Sequence, residues 1–190
     1  MSLRNTIFAD VWRIYGSASW SKVILAFLKY RAFRPILTYR LGRYLILEAS
    51  LLRYLLFPII KFFHNWFQNS INCEIPLSAE IGPGFYLSHG YVVVINGDTQ
   101  IGKNFTCLHL VTIGGQRAKG VPVIGDNVVI AAGAMVIGNV IVANGVTIGA
   151  ASLILKDVPE NAIVAGNPQR VIRISETFRT PNPAPEHLLS

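Results

Sequence analysis

Charge is scarce in this 190-residue chain: Asp, Glu, Lys and Arg make up 14%, against 52% hydrophobic residues. That composition excludes a disordered polyelectrolyte and requires a large buried core or an apolar partner surface. Cysteine is nearly absent. Two thiols, Cys73 and Cys107, set no disulfide framework and suit a reducing, cytoplasmic setting in which both are half-buried. Acidic residues are almost missing from one region: residues 1–68 hold ten Lys or Arg but only Asp10 and Glu48, a net +8, whereas 69–190 come to −1. The basic balance belongs to the N-terminal segment alone. Long uncharged runs are absent as well. No eighteen residues between 20 and 68 lack a charge, because Arg43, Glu48, Arg53 and Lys61 interrupt the most apolar part, so no spanning helix is expected. The first twenty residues lack the apolar core of a secretory leader, and none is expected.

What is present is a beat of six. Positions 124, 130, 136, 142, 148 and 154 read Ile, Ile, Val, Val, Ile, Ile; 95, 101, 107 and 113 read Ile, Ile, Cys, Ile; 75, 81 and 87 read Ile, Ile, Leu. Helical periodicity does not hold one phase over so many hexads. A hexapeptide repeat predicts a parallel β-helix, in which three hexads make one triangular coil and the beat residue points inward. The register breaks twice. Two extra residues enter between Leu87 and Ile95, and five between Ile113 and Ile124, within "GGQRAKGVPV". Insertions in a solenoid map to outer loops, often at the binding face. Both breaks flank His89 and His109.

With the insertions removed, Leu87, Cys107, Ile130 and Ile148 lie on one face. Two residues after each come His89, His109, Ala132 and Ala150, predicted to stack in one column about 4.8 Å apart per coil. Small residues leave a groove and imidazoles stand at its foot. Glu74 lies one coil below on the same face, where a carboxylate can fix the imidazole tautomer and leave the other nitrogen as a general base. Two plainer readings stand beside these. Glu74 also reads as a solvated charge on the first coil, and His109 as a cap on a backbone group.

The stretch "CEIPLSAEIGPGFYLSHGYVVVINGDTQIGKNF…VTIGG…VIGDNVVIAAGAMVIGNVIVANGVTIGAASLILKDVPENAIVAGNPQRVI" resembles the serine acetyltransferase branch of hexapeptide-repeat acyltransferases, and most closely the colanic-acid type of exopolysaccharide acetyltransferase. The resemblance implies a left-handed β-helix and a homotrimer with acetyl-CoA bound between subunits and no metal. It implies that His89 is the catalytic base and that Glu74 stands where serine acetyltransferases carry the paired aspartate. Ala132 and Ala150 match the small residues along the pantetheine arm, and Gly114 and Gly115 the "GG" where the thiol enters. Lys156 or Arg170, beside "AGNP" (165–168), match the end that meets the nucleotide phosphates. One departure matters. Serine acetyltransferases carry an Arg–His pair before a proline in the loop after "GG", and "QRAKGVP" (116–122) has none.

The predicted architecture is an all-β left-handed parallel β-helix with an N-terminal α-helical segment: helices over 1–70, coils over 71–174, and a flexible tail over 175–190. Residues 20–68 are predicted helical, broken at Pro35 and Pro58. Basic residues interleaved with aromatics there read either as helices lying on the inner face of the plasma membrane, or as helices packed on one another and on trimer neighbours. Nucleic acid is not an expected partner. The expected function is acetyl-CoA-dependent O-acetylation of a saccharide hydroxyl in surface polysaccharide synthesis. Serine O-acetylation and a non-catalytic, membrane-associated trimeric scaffold are the alternatives.

Overall fold

The computed structural model describes residues 1–47, 51–115, 120–175 and 182–189. All thirteen beat residues are buried, and they line up as the hexads require. Ile81, Ile101, Ile124 and Val142 stack on a first face of the solenoid, and Leu87, Cys107, Ile130 and Ile148 on a second. Ile95, Ile113, Val136 and Ile154 stack on the third. The result is a left-handed parallel β-helix of about four coils built from strands of two or three residues. An antiparallel hairpin, Ala162–Ala165 with Arg170–Ile174, closes it.

The corner between the first and second faces shows why the chain can turn so often. Gly84, Asn104, Asn127, Gly145 and Asn161 occupy it in successive coils, all at φ between 55° and 79°. Glycine and asparagine are the residues that enter this left-handed region most cheaply.

Among the described residues four helices precede the coils: α1 (Leu3–Tyr15), α2 (Trp20–Lys29), α3 (Phe33–Leu47) and α4 (Leu51–Asn69). The expected breaks at Pro35 and Pro58 do not occur. Pro35 sits in the first turn of α3, where a missing N–H costs nothing, and Pro58 lies inside α4. The breaks that do occur follow cap chemistry. Gly16, at φ 65°, ends α1, and the Ser19 hydroxyl accepts from Lys22 N–H to start α2. Glu48, counted in the charge pattern, lies outside the described residues.

These helices are fastened to the coils by buried charge. Asp10 and Arg40 form a two-point ion pair at 2.8 and 3.1 Å, and the free valence of Asp10 accepts from Phe85 N–H at 2.8 Å. Arg40 also donates to the Ile81 and Gly82 carbonyls, and Arg13 to Gly84 O and Thr106 Oγ1. Burial pushes the Asp10 carboxyl up, and the guanidinium beside it pulls back. The Asp10 carboxylate holds Arg40 above its ordinary value. Burial lowers Arg13 to about 10, still a cation at neutral pH. Below them, His64 Nε2 donates to Ile75 O at 2.9 Å, its Nδ1 meets Thr38 Oγ1, and burial keeps the ring neutral.

Part of the expected flexible tail is structured. Ala184 and Leu188 are buried against the coils and α1, Ala184 N–H bonds Asn104 Oδ1 at 2.9 Å, and Glu186–Leu188 form one 3-10 turn. No helix among the described residues is long and apolar enough to cross a membrane.

Candidate active site

The corner between the second and third faces carries the histidines. Gly133 N–H donates to His109 O at 3.0 Å and Ala151 N–H to Ala132 O at 2.9 Å, so His109, Ala132 and Ala150 stack in the expected column. His89 does not join it. Ser88 N–H bonds Cys107 O, and Leu110 N–H bonds Tyr91 O. Leu87 pairs with Cys107, and the second rung sets Tyr91 opposite His109; between those pairs the lower coil has three residues, Ser88, His89 and Gly90, where the upper coil has only Leu108. The two-residue insertion therefore throws His89 out of the stack as an exposed bulge at its foot.

That bulge is strained and heavily braced. His89 has φ 52°, and Val92 and Leu110 on the same corner have φ 56° and 59°, conformations costly for branched side chains. Gly90 fits because a Cβ there would stand 2.6 Å from Leu87 Cβ. Tyr30, at the end of α2, donates its hydroxyl to Leu87 O at 2.9 Å, stacks on Tyr86, and receives the His89 backbone N–H. Burial holds that hydroxyl well above the usual phenol range, so it stays a donor. Cys73 Sγ donates to Gly90 O at 3.3 Å and accepts from Val93 N–H, and burial pushes its thiol up. Tyr30 and Cys73 were missed in the sequence. Both act across long chain separations that hexad spacing does not encode.

Glu74 pairs with Val94 on the third face, one coil below. Its side chain is exposed, and no hydrogen bond or ion pair joins it to His89 or His109. The expected carboxylate–imidazole contact is not made, because the bulge carries His89 around the corner and away from that face. His109 Nδ1 is buried and has no hydrogen-bond partner among the described residues.

The remaining predicted residues frame the third face. Gly114 ends its strand at the far corner, and a Cβ on Gly115 would stand 2.8 Å from Val121 Cγ1. Gln116–Lys119, most of the loop on which the acceptor was judged, lie outside the described residues. At the top, Gln169 Oε1 accepts from Leu155 and Lys156 N–H, which brings the backbones of Lys156 and Arg170 together. Both side chains are exposed and without a carboxylate partner among the described residues. A cavity of about 710 Å³ lies elsewhere, between Tyr39, Arg43, Glu80 and Asp126. The histidine corner is thus an open face of this chain.

A model of the bacterial transferase hexapeptide (six repeats) matches residues 122–156. A serine acetyltransferase of Staphylococcus xylosus is 42% identical over 126 residues, 60% of this chain and 58% of that protein. The chain spans about half the length of the curated relatives it matches. Among solved structures, soybean serine acetyltransferase superposes with a TM-score of 0.74 at 32% identity, over 90% of this chain and 69% of that one. A serine acetyltransferase from Brucella abortus strain S19 in complex with coenzyme A gives 0.72 at 29%, over 91% and 67%.

These matches overturn the expectation of a saccharide acceptor and do not support a special closeness to the colanic-acid type. The expectation had rested on the missing Arg–His pair in the loop after Gly115 and on the resemblance to the colanic-acid type. The chain belongs to the serine acetyltransferase family of hexapeptide-repeat transferases.

Proposed function

We propose that this chain transfers the acetyl group of acetyl-CoA to the hydroxyl of serine. The observation that carries the reading is the exposed His89 imidazole, held on a braced and strained bulge at the foot of a column of small residues. That the similar proteins are serine acetyltransferases supplies the acceptor.

The residues present fit coenzyme A. Ala132 and Ala150 leave the corner low, and Gly115 stands where any Cβ would strike Val121. Lys156 and Arg170 offer cations that are unpaired among the described residues at one end, suited to phosphates. Acetyl-CoA, when bound, supplies the thioester carbon that accepts the serine oxygen and the thiol that leaves. His89 takes the hydroxyl proton on an imidazole nitrogen and returns it to the departing thiolate. His109, with its buried and unpartnered Nδ1, faces the same groove and is assigned a polar contact to the bound substrates. Glu74, exposed on the neighbouring face, is assigned as the candidate orienting carboxylate, a role that requires the His89 bulge to swing toward it in the substrate-bound assembly. A homotrimer completes the site, since the corner is open in a single chain and the outer residue Met135 of the third face is exposed.

The test is thiol release from acetyl-CoA by the full chain with L-serine and, separately, with a panel of sugars. Serine is expected to support turnover and the sugars to leave it at background. Faster release with any sugar than with serine refutes the reading.

Tyr30 is a positioning residue in this scheme. Tyr30→Phe removes the half-buried hydroxyl that bonds Leu87 O and the His89 N–H, about 0.5–1.5 kcal/mol of stability per hydrogen bond, and frees the bulge. The expected result is a several-fold lower kcat with an unchanged KM for acetyl-CoA. A fall in KM affinity with kcat intact would assign Tyr30 to cofactor binding instead.

A further inference from the structure

Helix α4 is amphipathic in the inverted sense. Its polar residues His64 and Gln68 face inward and bond both backbone groups of Ile75 at the base of the coils. Its outward stripe is Leu55, Ile59, Phe62 and Trp66, spaced i, i+4, i+7, i+11 and 49–68% exposed, with Phe62 and Trp66 in edge contact. Helix α2 repeats the pattern: Trp20, Ile24 and Leu28 are exposed at i, i+4, i+8. Phe27 of α2 touches Phe67 of α4, with ring centroids 5.6 Å apart, so the two helices adjoin. An apolar surface of this extent, uncovered by the chain's own fold, marks an interaction site.

Charge selects the occupant. Among the described residues of α1 to α4 the sole carboxylate is Asp10, which is buried and paired with Arg40. Lys29, Arg31 and Lys61 are exposed with no carboxylate partner among the described residues. The same face on a second copy is equally basic and lacks complementary charge. An anionic bilayer supplies both missing elements: an apolar boundary for the Trp, Phe and Leu side chains, and negative headgroups for the lysines and arginines. We infer that the α2–α4 face docks peripherally on an anionic lipid surface, inserting the Phe62–Trp66 stripe between headgroups. The inference is independent of acetyl transfer.

Co-sedimentation of the full chain with phosphatidylserine-containing vesicles and with pure phosphatidylcholine vesicles tests it. Each basic residue near the surface is worth roughly fivefold in partitioning. Wild type should therefore favour the anionic vesicles at least tenfold, and high salt should reduce the preference. Phe62→Ser/Trp66→Ser and Lys29→Glu/Lys61→Glu alter only exposed side chains, so melting temperature and serine-dependent thiol release should stay unchanged. Each is expected to lose at least nine-tenths of the bound fraction. Equal binding by the Phe62/Trp66 variant, or no preference for phosphatidylserine, overturns the inference. A wild type that ignores lipid, with a smaller assembly by light scattering in the Phe62/Trp66 variant, also overturns it and assigns the face to a second copy.

Discussion

His89→Asn is expected to lower acetyl transfer about 10²–10⁴-fold, the usual cost of removing a general base. Coenzyme A affinity and melting temperature should survive. The side chain is exposed and makes no hydrogen bond among the described residues, so its loss disturbs no packing there. Asparagine is the better replacement than alanine, because His89 sits at φ 52° and asparagine tolerates that region. His109→Asn on the neighbouring column is the comparison, and it should cost less if His109 only contacts substrate. A His89 variant that keeps more than about a tenth of wild-type turnover moves the base elsewhere, and His109 becomes the first candidate.

The second large effect concerns the junction between helices and coils. Removing one partner of a buried ion pair typically costs about 3–5 kcal/mol, because the other charge is left buried and uncompensated. Asp10→Ala strands the Arg40 guanidinium, 5% exposed, and also frees Phe85 N–H. Its unfolding free energy in urea should fall by that amount. The double variant Asp10→Ala/Arg40→Met should lose less than the sum of the single variants, since the stranded charge is gone. A loss below about 1 kcal/mol would mean that the helices are held by apolar packing alone. The helices also carry Tyr30, so they are not a detachable appendage: the brace on the His89 bulge comes from α2.

Much of the solenoid was legible because a hexad writes its register into the identity of single residues. Each beat residue is buried, and each insertion appears as a count that departs from six. The bulge at His89 was visible as such a departure, and so was a displacement of His89 toward the groove, but not its exit from the column. Two extra residues shift everything between rungs, so His89 left the column that His109, Ala132 and Ala150 keep, and its contact with Glu74 went with it. The helical region was harder to read. Pro35 and Pro58 drew the boundaries there, although proline is harmless in a first turn, and Gly16 and Ser19 were the caps that mattered. Asp10, Arg13 and Arg40 entered the sequence reading only through a charge count, because nothing local announces a pair that closes only when helix meets coil. The acceptor was misjudged for a related reason. A missing Arg–His pair in one loop weighed more than the overall likeness to serine acetyltransferases.

The central claim is that serine receives the acetyl group with His89 as the base. Mass spectrometry of the product formed by the full chain from acetyl-CoA and L-serine tests this most directly. The account predicts O-acetyl-L-serine in step with the thiol released, and its near disappearance in His89→Asn. Thiol release without O-acetyl-L-serine, or undiminished O-acetyl-L-serine from His89→Asn, would contradict it.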